Sequence, residues 1–265
     1  MDKKTVLVIG AHMDDCEIGA GGLIAKAVKQ GHRVVLVNVA SDYSSWRTTQ
    51  GREKEVRERI LKKAEEIGVE KRFLGYGYQQ VPRTLDAIKK IAEVAIDVQP
   101  DLTLFHNRYE PSPSDHSTVG YIAERAVRDA TRVLDTYVPF SQEMYAYEVY
   151  PRNFDFVPDT FINITDVIAE VAQWPNYFDE IYAGDIHQKK DPNMKSTHGL
   201  TGPRTEIRSE VLGEEPVPLW PHGELKLYTA AFRGLQCGAR FAEAYMSLDK
   251  RVLGSGLLQQ IAQIR

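Results

Sequence analysis

Cysteine is nearly missing from this chain, with Cys16 and Cys237 far apart and no Cys-x-x-Cys pair among 265 residues. That excludes a disulfide scaffold and makes a reducing, cytoplasmic setting the expectation. Long apolar runs are lacking as well, since no stretch approaches the roughly 18 residues of a spanning helix. The opening Met1-Asp2-Lys3-Lys4 leads into a short apolar segment without the core and cleavage site of a signal peptide. Charge of one sign never accumulates: 33 Lys and Arg mix with 37 Asp and Glu, for a net charge of -4. No nucleic acid and no membrane are therefore expected as partners. The length and the 43% hydrophobic content suit an ordinary globular protein, read as a single domain over residues 1–265.

What is present is a dense polar motif in one place. The apolar run Val6-Leu7-Val8-Ile9 reads as a buried strand, and Gly10-Ala11-His12-Met13-Asp14-Asp15-Cys16-Glu17-Ile18-Gly19-Ala20-Gly21-Gly22 follows it into a helix. In an open α/β sheet, ligands bind outside the carboxyl ends of strands. An imidazole and two carboxylates there offer two metal ligands and a spare base, the minimum for hydrolysis by an activated water. The plainer alternative is a polar turn whose aspartates cap the next helix. The glycines weigh against it, because they weaken a helix and suit close approach of backbone or ligand.

Beyond the motif, helical spacing runs to a stop at Gly31, and Arg33 to Val39 forms a second apolar run, so the chain opens as a β-α-β unit with parallel strands. A dinucleotide-binding fingerprint is absent: the glycine cluster lies nine residues past Gly10, and the second strand ends Val39-Ala40-Ser41 without an acid. Residues 41–51 read as a loop on the motif's edge, followed by an amphipathic helix, a short strand over 70–80 and a helix over 82–98. Asp101 to Phe105 is the next buried strand. It ends in His106-Asn107, and a proline- and serine-rich loop carries the chain to Asp115-His116 at the start of a further helix. His116 can complete a His-Asp-His set with an open coordination position. Met144 to Tyr150 alternates like a strand half exposed to solvent, Thr160 to Ile164 reads as a strand before a helix capped at Thr165-Asp166, and Trp174-Pro175 interrupts that helix. Residues 189–224 carry little period and suggest a substrate-covering or subunit-contact segment, or else a mobile loop. The pattern predicts an α/β fold, a Rossmann-like mostly parallel sheet flanked by helices, with a partly irregular C-terminal region.

Residues 11–22 resemble the Ala-His-Pro-Asp-Asp-Glu…Gly-Gly signature of the PIG-L/LmbE-like zinc-dependent N-deacetylases, with Met13 in place of proline and Cys16 in place of glutamate. Ser114-Asp115-His116 resembles the end of that family's His-Pro-Asp-His signature, and Arg233 to Tyr245 its closing motif. The resemblance implies His12, Asp15 and His116 as ligands of Zn2+ or another divalent metal, Asp14 as catalytic base and Asp115 as an outer partner tuning the site. It also implies Arg57 or Arg52 as substrate-binding residues, a small-molecule amino-sugar substrate and a homo-oligomer, trimer or hexamer. One departure stands out. The first His of the second signature, which stabilises the tetrahedral intermediate, falls on Pro113, leaving His106, His187 or His198 as replacements, or the metal to carry the oxyanion unaided. The expected function is removal of an N-acetyl group from an amino sugar or its conjugate. Alternatives are an amidase for a larger acyl group and a metal- or nucleotide-binding protein without hydrolase activity.

Overall fold

The computed structural model describes residues 2–111, 113–136, 143–151, 155–183, 205–207, 217–248 and 256–262. In chain order the elements are β1 (Thr5–Gly10), α1 (Asp15–Lys29), β2 (Arg33–Asp42), α2 (Glu53–Ile67), β3 (Glu70–Gly77), α3 (Leu85–Val98), β4 (Leu102–His106) and α4 (Ser114–Arg128). There follow α5 (Ala130–Val133), β5 (Glu143–Tyr147), β6 (Thr160–Asn163), α6 (Ile168–Val171), α7 (Gln173–Ala183), β7 (Thr205–Ile207), β8 (Val217–Leu219), α8 (Pro221–Cys237), β9 (Ala242–Ser247) and α9 (Leu257–Ala262).

Seven strands form one sheet in the order β3-β2-β1-β4-β5-β9-β6. The first five are parallel, and β9 runs antiparallel to both of its neighbours. From β1 the chain winds outward through β2 and β3, then crosses back to β4. The point where the order reverses, between β1 and β4, is where such sheets open a crevice at the strands' carboxyl ends.

Strand alternation builds a core on each face of the sheet. Val6 and Val8 pack with Leu23, Ile24 and Leu104 against α1, while Leu7 and Ile9 pack with Ile88, Ile91, Val119 and Ile122 against α3 and α4. Both faces of β1 are dry, which is why its sequence is a continuous apolar run. No helix among the described residues is long and apolar enough to cross a membrane.

The glycines of α1 serve packing. A Cβ on Gly19 would lie 2.2 Å from the Tyr147 ring, and one on Gly22 would lie 2.3 Å from the Ile164 side chain. The helix breaks its dihedral pattern at Ala20, and the amides of Gly22 and Leu23 donate to the Glu243 carboxylate at 2.6 and 2.9 Å. Lys226 and the Tyr245 hydroxyl also reach Glu243, so this buried acid from β9 is fully partnered.

Three sequence expectations change. Strand β5 is not half exposed: Met144, Tyr145, Ala146 and Tyr147 are all buried, because a core packs on each face of the sheet, Tyr145 and Tyr147 entering one and Met144 the other. Thr165-Asp166 does not cap a helix; α6 starts two residues later with no side-chain cap, and the Asp166 carboxylate binds Lys26 at 2.7 Å instead. Within 189–224 the described parts are regular, with β7 pairing to β8 and α8 opening at Pro221. His187 and His198 lie outside the described residues.

Candidate metal centre and cleft

Loops leaving β1 and β4 meet at the switch point, and α4 brings a third group. His12 follows β1, Asp15 opens α1 and His116 sits in the first turn of α4. Asp14 and Asp15 do not cap α1: no side-chain cap bond forms, and Asp15 Oδ2 instead accepts from the His12 amide at 2.6 Å, a local turn that folds the motif onto itself.

The three predicted ligands converge. His12 Nδ1 is 3.1 Å from His116 Nε2 and 3.3 Å from Asp15 Oδ2, and His116 Nε2 is 3.2 Å from Asp15 Oδ1. Four-coordinate zinc with bonds of about 2.0–2.1 Å needs donors about 3.3 Å apart, so this triangle has the size of one face of such a tetrahedron. Two buried imidazole nitrogens thus face each other with the Asp15 carboxylate beside both. The donor set fits a divalent metal.

Each imidazole is held from behind, as metal-binding histidines usually are. His12 Nε2 is 3.2 Å from Asp115 Oδ2, which also accepts from the Gln79 amide at 2.8 Å, while Asp115 Oδ1 accepts from Val81 at 3.2 Å. His116 Nδ1 lies 3.1 Å from Glu110 Oε1. Glu110, which the sequence reading passed over, also reaches His106 Nδ1 at 3.4 Å, so His106, Glu110 and His116 form a second acid-histidine group sharing one imidazole. His106 backs the triangle too, with Nε2 3.0 Å from Asp15 Oδ2 and its ring stacked 4.2 Å from that of His116.

Charge follows from this packing. Burial works against charge on His116, yet Asp15 and Glu110 on either side push its pKa up to about 10. Burial likewise opposes ionised Glu110, but His116 and His106 bring it down to about 2. Asp15 is held well below the carboxylate range by His116, His12 and His106 against its burial. Asp14 moves the other way: burial raises it, with Asp15 adding and His222 opposing. Two adjacent aspartates thus differ, one a locked anion and one a readier proton acceptor.

A cleft of about 650 Å³ opens over the triangle. One wall is aromatic, with Trp46 stacked on Tyr78 at 5.4 Å and Tyr43 on Tyr182 at 5.7 Å. Asp14 and His222, the latter at the start of α8, line the cleft beside it, and no Lys or Arg lines it among the described residues.

Three predicted substrate residues are elsewhere. Arg57 is exposed on α2 and lies over the Phe73 ring at 4.9 Å, outside the cleft lining. Arg52 pairs with Glu55 at 3.1 Å and reaches the Ile181 carbonyl at 3.4 Å, fastening α2 to α7. His106 is fully buried behind Asp15 and is no lining residue. Pro113 does line the cleft and offers no donor, as the sequence indicates.

Residues 7–127, which carry His12, Asp14, Asp15, Glu110 and His116, match the family model described as PIG-L: GlcNAc-PI de-N-acetylase. The match places the candidate site within a stretch similar to PIG-L proteins. The chain is 29% identical over 180 residues to a 4-oxalmesaconate hydratase of Pseudomonas putida, covering 62% of this chain and 69% of that protein. It is 27% identical over 208 residues to the diacetylchitobiose deacetylase of Thermococcus kodakarensis, covering 74% and 76%. The similarity of fold extends past the matched stretch. The N,N'-diacetylchitobiose deacetylase structure from Pyrococcus horikoshii superposes with a TM-score of 0.67 at 20% identity, covering 93% of this chain and 84% of that one. GalB, the 4-carboxy-2-hydroxymuconate hydratase of P. putida, gives 0.68 at 23% identity, covering 95% and 98%.

Glu110 and His222 were the residues missed. Glu110 had one usable signal, a carboxylate four positions past a strand-end histidine. His222 repeats the helix-start pattern of His116, behind Pro221 at the first helical position. Its partner Asp179 lies inside α7 and had no signal.

Proposed function

We propose that this chain, acting as one domain, is a metal-dependent hydrolase that removes an N-acetyl group from an amino sugar or amino-sugar conjugate. The observation that carries the reading is the triangle of His12, Asp15 and His116 with the unbonded carboxylate of Asp14 next to it in the cleft. Zinc is the ion assigned, because two imidazoles and one carboxylate at tetrahedral spacing suit it, although iron, cobalt or manganese accept the same donors. Held by these three residues, zinc would polarise the scissile carbonyl and acidify an attacking water to a pKa of about 7.

The chain's own groups do the rest. Asp14, raised by burial, accepts the proton of the attacking water. Asp115 and Glu110 fix the two imidazoles so that the donor atoms stay aimed at one point. The Trp46–Tyr78 wall offers a flat apolar face for a sugar ring. A cytoplasmic setting fits the two free cysteines. A homo-oligomer is part of the reading, supported by Tyr228, Phe232 and Leu235, which expose apolar surface on one stripe of α8.

A second reading, a hydratase, draws on the 29% identity to the P. putida 4-oxalmesaconate hydratase. A metal site with a nearby base also suits addition of water to a polarised double bond. Against it, the described cleft lining offers no Lys or Arg for a carboxylate-rich substrate. The test is release of primary amine from N-acetylated sugars and conjugates by the zinc-loaded protein, with Asp14→Ala as control and longer acyl chains compared. Amine release that vanishes in Asp14→Ala supports the deacetylase. Consumption of a conjugated carboxymuconate, followed by absorbance, without amine release from any amide, favours the hydratase.

A further inference from the structure

Hydrolysis of an amide needs two proton movements. A group must take a proton from the attacking water, and a proton must reach the departing nitrogen, from that group or from a second one, because an amide anion is too basic to leave alone. Asp14 serves the first. The histidines of the metal cluster are committed, since His12 and His116 each have one nitrogen in the triangle and the other at a carboxylate. Outside that cluster, the imidazole lining the cleft among the described residues is His222.

His222 is held as a working group rather than as loose surface. Its Nδ1 is 2.5 Å from Asp179 Oδ1, and its backbone amide donates to Asp179 Oδ2 at 3.0 Å, so one carboxylate clamps both ends of the residue. Asp179 is fully buried in α7. One turn earlier on the same helix face, Asn176 Oδ1 accepts from the Trp220 amide at 2.8 Å, and a Cβ on Gly223 would lie 2.2 Å from that oxygen. The first turn of α8 is therefore seated on α7 with no room to shift. The ring stands 4.0 Å from Asp14 Oδ2, and its side chain is 24% exposed, on the cleft side.

We propose that His222, positioned by Asp179, is the proton donor to the leaving amine. The assignment rests on the deacetylase reading above. With Nδ1–H given to Asp179, the ring's remaining donor is Nε2–H. Water oxygen bonds to the acyl carbon as Asp14 takes its proton. The C–N bond then breaks, its electron pair goes to nitrogen, and that nitrogen receives the Nε2 proton. The products are acetate and a primary amine. Asp14 returns its proton to solvent, and His222 regains one for the next turnover. The charge environment agrees: burial lowers the His222 pKa, but Asp179 of α7, Asp14 of the β1–α1 loop and Asp15 of α1 outweigh it and raise it to about 9. The imidazole then carries its proton through neutral pH.

The competing reading is that the His222–Asp179 pair only latches α8 to α7. Three measurements on the zinc-loaded full chain separate the two. On an N-acetylated sugar, His222→Gln is expected to lower kcat about 100- to 1,000-fold with KM little changed. On 4-nitrophenyl acetate, whose leaving group departs without a proton, the same variant is expected to stay within about threefold of wild type. Asp179→Asn is expected to move the alkaline limb of the kcat profile to lower pH. In parallel, ¹⁵N NMR of the imidazoles is expected to find His222 charged at pH 8 in wild type and neutral there in Asp179→Asn. Equal losses on amide and ester, an undiminished His222→Gln, or a neutral His222 at pH 7 each overturn the proton-donor role while leaving the deacetylase standing. A wild type that releases amine from no acetamide overturns the deacetylase, and this role with it.

Discussion

Replacing Glu110 with glutamine tests whether the outer carboxylates tune the proposed metal site or merely fill space. The substitution keeps the volume and removes the charge that faces His116 Nδ1 at 3.1 Å and His106 Nδ1 at 3.4 Å. Two effects of opposite sign follow. The ligand imidazole becomes less basic and less well oriented, which costs about 10- to 100-fold in metal affinity. The proton that competes with the metal also becomes easier to remove, since Glu110 is one of the two carboxylates that push His116 up to about 10. Each pH unit below a ligand's pKa costs about tenfold in apparent affinity, or about 1.4 kcal/mol. Wild type therefore loses affinity steeply as pH falls, and the variant loses it less steeply. Competition titration against a chromophoric chelator at pH 6 and pH 9 is expected to find wild type tighter at pH 9, with the gap narrowing toward pH 6. A gap of constant size, or one that widens toward pH 6, would refute this account of Glu110.

Other consequences can be checked on the fold. Gly19→Ala forces a methyl into the Tyr147 ring, where the Cβ would lie 2.2 Å from a ring carbon, and should cost about 1–3 kcal/mol in urea unfolding. Lys71→Met strands the Glu17 carboxylate, since the pair lies 2.6 Å apart with both side chains fully buried. A loss of about 3–5 kcal/mol is expected, largely recovered when Glu17→Leu is added. In the metal-free protein, the His116–Glu110 contact should stabilise most between the ordinary pKa values of 4.5 and 6.5. The raised histidine loses its share as pH climbs from 6.5 through about 10, and the lowered glutamate loses its share as pH falls from 4.5 through about 2. Melting curves at pH 3, 5.5 and 9 should therefore peak at 5.5, and Glu110→Gln should flatten the profile.

Much of the fold was legible because parallel sheets write themselves plainly. Buried on both faces, β1, β2 and β4 had to be continuous apolar runs, and each ended at a polar or small residue marking the carboxyl edge. Strand β5 misled for a related reason. Its Tyr145 and Tyr147 are amphipathic and imitate a wet face, although both are buried in the core against α1 and β9. The glycines of α1 were correctly read as permitting close approach, but what approaches is Tyr147 and Ile164, from segments more than a hundred residues away.

The sequence by itself determined the chemistry that lives on one local segment. His12, Asp14 and Asp15 share a turn, so their proximity follows from chain connectivity, and His116 declared itself by opening a helix beside a second short motif. Only the tertiary structure decided the groups that act through space. His106 came to back Asp15, ninety-one residues away in the chain, because β4 lies next to β1. Arg52 and Arg57 were turned to α7 and Phe73 rather than to the cleft. Asp179 met His222 because α7 packs on α8, across more than forty residues of chain. Covalent neighbours are fixed by the backbone, whereas contacts of high sequence separation depend on how every helix settles on the sheet, and no local pattern encodes them.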